Sequence, residues 1–273
     1  MAGYRLAVDL GTTWTAAAVR RADRVDVAQL GSRSAAIPTV VLVEADGTVA
    51  VGESAVRRAL ESPERVVREV KRRVGDDAPV LVGGTPWAAE LLLARVLRHV
   101  VDVVIAEQGG PPELVVLTHP ANWGRYKLDL LVQAARQVGV EPVVLVPEPV
   151  AAAAWYASEH RVRDGGVVAV YDLGGGTFDA AVVRRTGDQF ELLGRPDGIE
   201  RLGGIDIDAA VLGIVTEQLG EAWTTLDRTD PDVQADVAAL REQCTQAKEA
   251  LSVDTVASVP VRLPTARTTV RIT

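Results

Sequence analysis

Cysteine occurs once in the 273 residues, as Cys244, which excludes an internal disulfide and a structural zinc site. Histidine is nearly as scarce: His99, His119 and His160 are scattered along the chain, so any metal here is expected to be oxygen-bound rather than held by a His-rich set. Long hydrophobic runs are missing too. The longest apolar stretch, Leu91 to Ala106, is broken by Arg95, Arg98, His99 and Asp102 and cannot span a bilayer. The N-terminus lacks the charged start and apolar core of a signal peptide, which makes a soluble protein in the cytoplasm the default expectation, with no membrane partner. Positive charge is in deficit. A formal net charge of -8 argues against a nucleic-acid partner, since such proteins present a basic stripe to the phosphate backbone. What is plentiful is apolar: 48% of the residues are hydrophobic, enough to fill the cores of two lobes.

From Val167 to Val183 two valine-rich runs flank the segment Asp172-Leu173-Gly174-Gly175-Gly176-Thr177-Phe178-Asp179. The runs have the pattern of buried strands, and a reversal between them calls for residues that tolerate positive φ. Three glycines also strip the tip of β-carbons, so that backbone N–H groups can close on a phosphate while Thr177 adds a hydroxyl. Asp172 and Asp179 would repel that phosphate unless a divalent cation lay between, which argues for a magnesium nucleotide over a bare anion. A glycine-rich turn with two solvated aspartates is the plain alternative. Against it stands the start of the chain, where Tyr4 to Val19 repeats the layout around Asp9-Leu10-Gly11-Thr12-Thr13. Two such hairpins facing each other would hold β- and γ-phosphates from both sides, with Thr12 and Thr13 as donors and Asp9 and Asp172 turned to the metal.

Between the hairpins, Arg24 to Leu30 and Thr39 to Ala50 read as strands, and Glu53 to Leu60 as a helix. The basic run Val66 to Gly75 has the look of a solvated helix face. Thr85-Pro86 predicts a helix start and Gly109-Gly110 its stop. Strand, helix, strand, helix then alternate from Glu113 to the alanine-rich segment after Pro149, which predicts an α/β layer. His119, at the end of the first of these strands, has no neighbouring nucleophile and reads as a structural or rim residue. Glu148 is open to two readings, a carboxylate stabilised by a helix dipole or a site carboxylate at the C-terminal end of a strand. Gly203-Gly204 opens a helix to about Leu219, and Asp230-Pro231 starts another whose apolar stripe makes Cys244 a buried, inert residue. Thr255 to Thr273 reads as a closing hairpin.

Taken together, Asp9 to Thr13, Asp172 to Asp179, Glu148-Pro149-Val150-Ala151-Ala152-Ala153 and Leu202-Gly203-Gly204-Ile205-Asp206 resemble the nucleotide-binding domain of the heat-shock 70 (DnaK-like) chaperones, in the actin, sugar-kinase and chaperone ATPase superfamily. The resemblance implies an α/β, actin-like ATPase fold with a ribonuclease H-like motif, two lobes around a nucleotide cleft, and an incomplete second lobe. The first lobe would take residues 1–161, with an inner domain at 1–33 and 112–161 and an outer insertion at 34–111. The second would take 162–273, inner to 201 and outer beyond. It implies ATP or ADP with Mg2+ as ligands, and slow hydrolysis as the activity of a longer parent, with a weak or inactive fragment here. Lys71 matches the lysine that contacts the γ-phosphate and attacking water. Glu148 and Thr177 match residues that position that water and the phosphate, while Asp9, Asp172 and Asp179 match the magnesium shell. Gly11, Thr12, Thr13, Gly174, Gly175 and Gly176 fall on the phosphate hairpins, and Gly203, Gly204, Lys248 and Ser252 on the adenosine side. Pro120 matches a proline that relays nucleotide state to a peptide-binding domain. A J-domain protein, a nucleotide exchange factor and client peptides would be the partners of the parent.

The departures are specific. Trp14 stands where the family carries a tyrosine, Glu249 replaces an arginine that stacks on adenine, and Ala121 to Leu128, after Pro120, lacks the family's arginine in the matching place. The lobe between Arg33 and Pro111 is shorter, and the chain ends before the segment that would return to the second inner sheet, so a longer parent is expected. A non-hydrolysing nucleotide sensor or scaffold of the same fold is the alternative. A sugar kinase would need a hexose site, for which no residues stand out.

Overall fold

The computed structural model describes residues 3–59 and 61–273. Its residues fall into two compact units, 1–201 and 202–273. In chain order the first holds strands β1 (Arg5–Leu10), β2 (Trp14–Arg21), β3 (Arg24–Val27), β4 (Ile37–Pro38), β5 (Val41–Val43) and β6 (Val49–Val51), then helix α1 (Glu53–Arg58). Next come β7 (Val66–Val67), a 3-10 turn at Val70–Arg73, β8 (Val80–Val82), β9 (Thr85–Trp87) and α2 (Ala89–Gln108). It closes with β10 (Leu114–His119), α3 (Arg125–Gln137), β11 (Val143–Pro147), α4 (Glu148–Glu159), β12 (Val167–Leu173), β13 (Phe178–Thr186) and β14 (Gln189–Ile199). The second unit carries α5 (Gly204–Leu219), α6 (Glu221–Thr224), α7 (Pro231–Ala250), β15 (Ala257–Leu263) and β16 (Ala266–Ile272).

The main sheet of the first unit runs β11-β10-β1-β2-β3 and is mixed: β1 to β3 form an antiparallel meander, and β10 and β11 add parallel to the free edge of β1. Parallel neighbours require crossovers, and α2 and α3 supply them. Leu6, Val8 and Leu10 of β1 alternate with exposed residues and meet Val115 and Leu117 of β10 and a nearly continuous apolar face of α2, from Leu92 to Val104. A second sheet, β12-β13-β14, repeats the antiparallel meander of β1 to β3, the topological counterpart of the sequence repeat.

Several sequence expectations are corrected. Thr85 and Pro86 do not start a helix. Gly83 and Gly84 both take positive φ and reverse the chain, so that Val82 pairs with Thr85 in a small hairpin, and α2 begins only at Ala89. Its stop at Gly109 is as read, with φ 79°. The predicted helix from Glu53 ends at Arg58 in α1, and Leu60 lies outside the described residues. The basic run is not a helix face: it is a two-residue strand and a 3-10 turn whose Val70 and Val74 are fully buried. Finally, β12 is less buried than its valines suggest. Val167, Tyr171 and Leu173 are half or more exposed, because among the described residues β12 pairs on one side only, with β13.

The second unit packs α5 and α7 on the β15–β16 hairpin. Alternate residues of β15, from Ala257 to Leu263, enter a core shared with Val215, Leu240 and Cys244, so the cysteine is buried as expected.

Candidate functional site

The site is built where the two hairpin tips of the first unit meet. Asp9 sits near the end of β1 and Asp172 near the end of β12; Asp172 and Asp179 face each other as cross-strand partners. The loop between them is closed by the Gly174 N–H donating to the Thr177 carbonyl at 2.9 Å. None of Gly174, Gly175 and Gly176 takes a positive φ, contrary to the expectation from sequence. Their need is for space. A Cβ on Gly175 would fall 1.9 Å from Thr13 Oγ1, and one on Gly176 would fall 2.4 Å from Thr12 Cγ2, so the two tips can approach only because both residues are glycine. Gly11 and the buried Thr12 form the facing tip, with Thr13 exposed beside them.

Lys71 comes from the 3-10 turn. Glu69 precedes that turn in a left-handed conformation, φ 56° and ψ 24°, which is rare for a residue with a side chain. Val70 and Val74, each burying about 1.5–3 kcal/mol of apolar side chain, anchor the turn in the core. Lys71 is thereby carried inward, only 8% exposed, and its Nζ lies 2.6 Å from Glu148 Oε1. Glu148 is the first residue of α4, directly after β11, so the strand's C-terminal end and the helix start are the same place. Thr12, Lys71, Arg72, Pro120, Thr177 and Glu200 share the lining of one small cavity.

The electrostatics are those of crowded carboxylates. Burial pushes the Glu148 carboxyl up; Lys71 opposes this, and Asp9 and Asp172 add to it. Asp172 is raised by burial and then by Asp9, with Lys71 again opposing. Asp179 is 4% exposed and neither of its carboxylate oxygens has a well-formed hydrogen bond. Burial raises it, partly offset by the adjacent Thr177 hydroxyl. Asp9 accepts a hydrogen bond from the Thr118 hydroxyl at 2.6 Å. Thr118 escaped the sequence reading because nothing local marks a strand threonine as a carboxylate partner. His119 is buried and its pKa lowered, by burial first and with Lys71 adding to it; its Nδ1 lies 2.9 Å from the Pro120 carbonyl, in keeping with a structural residue.

This donor set is all oxygen, and an orphaned buried carboxylate beside two others fits a hard divalent cation. Among the described residues no three such side chains converge closely enough to ligate one ion directly. A magnesium ion, which keeps several waters, would therefore be held through its water shell and by its phosphate partner.

The remaining predicted residues lie in the second unit. Asp206 turns back to accept from the Gly203 N–H at 2.8 Å, closing the start of α5 at Gly203 and Gly204. Lys248 of α7 reaches the same place, donating to the Gly204 carbonyl at 3.2 Å and pairing with Asp208 at 2.8 Å. Ser252 and Glu249 are exposed at the end of α7. A wider, shallow depression over Pro260–Thr269 contains none of the predicted residues.

The family model described as Hsp70 protein matches residues 5–81 and 76–271. The chain belongs to the Hsp70 family. Its similarity to that family's members extends along nearly its whole length. The chaperone protein DnaK of Elusimicrobium minutum is 32% identical over 265 residues, which cover 95% of this chain and 42% of that protein. The DnaK of Methanothermobacter thermautotrophicus is 32% identical over 263 residues, 95% of this chain and 43% of the relative. That of Cenarchaeum symbiosum is 30% identical over 268 residues, 95% and 39% respectively. The chain thus spans about two fifths of the length of the curated relatives it matches. Membership carries the actin-like ATPase fold and identifies the chain as an Hsp70-like nucleotide-binding domain. No helix among the described residues is long and apolar enough to cross a membrane.

Proposed function

We propose that this Hsp70-family chain binds Mg-ATP against its two glycine hairpins and, within the whole protein, hydrolyses it slowly. The observation that carries the reading is the 2.6 Å contact between Lys71 and Glu148, set in the cavity that Thr12 and Thr177 also line. A buried ammonium and a partly buried carboxylate side by side present a donor and an acceptor to one water. That water is then held for in-line attack on a terminal phosphoryl group. The Thr177 hydroxyl and the hairpin amides face charge that spreads over the equatorial oxygens. Magnesium, when bound with the nucleotide, would neutralise part of that charge. Asp9, Asp172 and Asp179 would orient its waters, which also removes the mutual repulsion that otherwise raises Asp172.

In this reading the lobes keep the boundaries 1–161 and 162–273, and the adenosine side falls to Gly203, Gly204, Lys248 and Ser252. ADP is the product, and J-domain proteins, exchange factors and client peptides are partners of the whole protein. A cytoplasmic setting suits a protein with one buried free thiol.

The test is Lys71→Ala, with calorimetry of Mg-ATP and single-turnover phosphate release in the whole protein. Loss of turnover by a hundredfold or more, with nucleotide affinity kept within about tenfold, is expected from removing a group that acts on the attacking water. Wild-type turnover in the variant would remove Lys71 from the mechanism. Tight binding with no phosphate release in the parent would instead favour a nucleotide sensor.

A further inference from the structure

The basic run contributes a second side chain to the site, one that nothing in the residue pattern separates from its neighbours. Arg72 follows Lys71 in the 3-10 turn, and its side chain is 11% exposed. Its Nε–H donates to the Gly176 carbonyl at 2.8 Å, and its Nη1 pairs with Glu69 at 3.3 Å. Gly176 is also the residue whose missing Cβ lets Thr12 pack against the loop.

The chemistry of a glycine run makes this contact more than a surface hydrogen bond. Gly174, Gly175 and Gly176 carry no side chains to bias the orientation of their peptide planes, and glycine passes between backbone regions at little steric cost. The Gly174 N–H to Thr177 carbonyl bond closes the ends of the loop but acts on neither the Gly176 carbonyl nor the Thr177 N–H. Those two groups belong to one trans peptide, so they lie in one plane and point in opposite directions within it. A donor fixed on the carbonyl therefore fixes the amide as well.

We propose that Arg72 is a positioning residue for the second glycine hairpin: by holding the Gly176 carbonyl it sets the plane of the Gly176–Thr177 peptide, and with it the place of Thr177 relative to Lys71. The same turn thus carries Lys71 to Glu148 and clamps the loop opposite. The turn itself is held rigidly enough for this task, through the buried Val70 and Val74 and through Glu69, which pairs with the far side of the guanidinium. This inference rests on the nucleotide reading above. Because Thr177 shares its cavity with Lys71, the residue assigned to the terminal phosphate, a misplaced peptide should weaken Mg-ATP more than Mg-ADP.

The geometry supplies a discriminating pair of variants. Glutamine places its amide Nε2 at the same point along the side chain as the Nε of arginine, so Arg72→Gln keeps the donor and discards the charge. Lysine puts a methylene there, so Arg72→Lys keeps the charge and discards the donor. The measurements are Mg-ATP and Mg-ADP affinities by calorimetry, and amide exchange over residues 174–177 in the nucleotide-free chain. For Arg72→Lys and Arg72→Ala we expect a tenfold or greater fall in the ATP-to-ADP affinity ratio and at least tenfold faster exchange at Thr177. Arg72→Gln should stay within about threefold of wild type in both.

The reverse order, with lysine rescuing and glutamine failing, would mean that Arg72 acts by its charge and would overturn the proposal. So would an equal fall in both affinities accompanied by a lower melting temperature, the mark of a general packing role, or wild-type behaviour in all three variants. If Arg72→Ala does not fold, the glutamine and lysine pair still decides. If the wild-type chain binds neither nucleotide, the nucleotide reading itself fails and takes this inference with it. A binding wild type with an indifferent Arg72 sinks this inference alone.

Discussion

Asp179 is the residue whose situation asks most for an explanation. A carboxylate 4% exposed, without a well-formed hydrogen bond, costs free energy in the folded state unless a cation or a proton relieves it. Folding raises the pKa of Asp179, of Asp172 and of Glu148, in each case with burial as the leading cause. A group raised on folding contributes stability that is full below its unfolded pKa and is lost as pH rises through the folded value. These three carboxyls therefore favour the folded state while they are protonated and oppose it once pH has risen through their folded values, where a divalent cation should restore what the proton no longer supplies. Thermal melts should show Mg2+ with nucleotide stabilising the chain more at pH 7 than at pH 5. Equal shifts at the two pH values would argue against these carboxylates as the responding groups. Asp179→Asn should raise the melting temperature of the metal-free chain, by about 1 kcal/mol or some 2–4 °C, while reducing the stabilisation that Mg2+ and nucleotide provide. A destabilised variant would show that the charge is compensated in the fold by something else.

At the scale of elements, the two hairpins were legible because their signals are local: aspartate, glycine and small polar residues lie side by side in sequence, and the same residues lie side by side in space. The turn that carries Lys71 was not legible. Its inward path depends on Glu69 adopting a left-handed backbone and on Val70 and Val74 finding the core built by α2, and neither can be read from a run of arginine and valine. Thr85-Pro86 failed for a related reason, since a good helix start was overridden by the glycine pair before it. The role of Arg72 left no trace in the sequence at all, because its partner is a backbone carbonyl 104 residues away. The left-handed backbone also separates two residues of the same kind. Ala22, φ 50°, lies in the exposed turn between β2 and β3, whereas Glu69, φ 56°, enters the site. Ala22→Gly should stabilise the chain by about 1 kcal/mol in denaturant melts and leave nucleotide affinity unchanged. Glu69→Gly relieves the same strain but removes the pair with Arg72, so it should weaken Mg-ATP binding whatever it does to the melt. If both substitutions behave alike, the strain at Glu69 has no link to the site.

The molecule as a whole comprises two compact units, each with its own core, and each carries some of the residues proposed above for nucleotide. The phosphate side, from Asp9 to Asp179, lies in the first. Gly203, Gly204, Lys248 and Ser252 lie in the second, where Lys248 is already held by Asp208 and the Gly204 carbonyl. That internal pairing fixes the junction of α5 and α7 whether or not a ligand is bound. The consequence is an asymmetric response. Hydrogen exchange with Mg-ATP should show strong protection at residues 9–13 and 172–179, whose hairpin amides gain the phosphates as partners, and at 70–73, where the turn meets the same ligand. At residues 203–208 and 246–252 the added protection should be smaller, since these groups are bonded beforehand. Lys248→Ala separates the two roles. It leaves Asp208 without its partner, so the second unit should lose about 1–3 kcal/mol, and nucleotide affinity should fall for ATP and ADP alike, because a residue on the adenosine side does not distinguish them. A fall confined to ATP would move Lys248 to the phosphate side. Unchanged affinity for both, with the second unit still destabilised, would leave it as a structural tie within that unit and remove it from the nucleotide site.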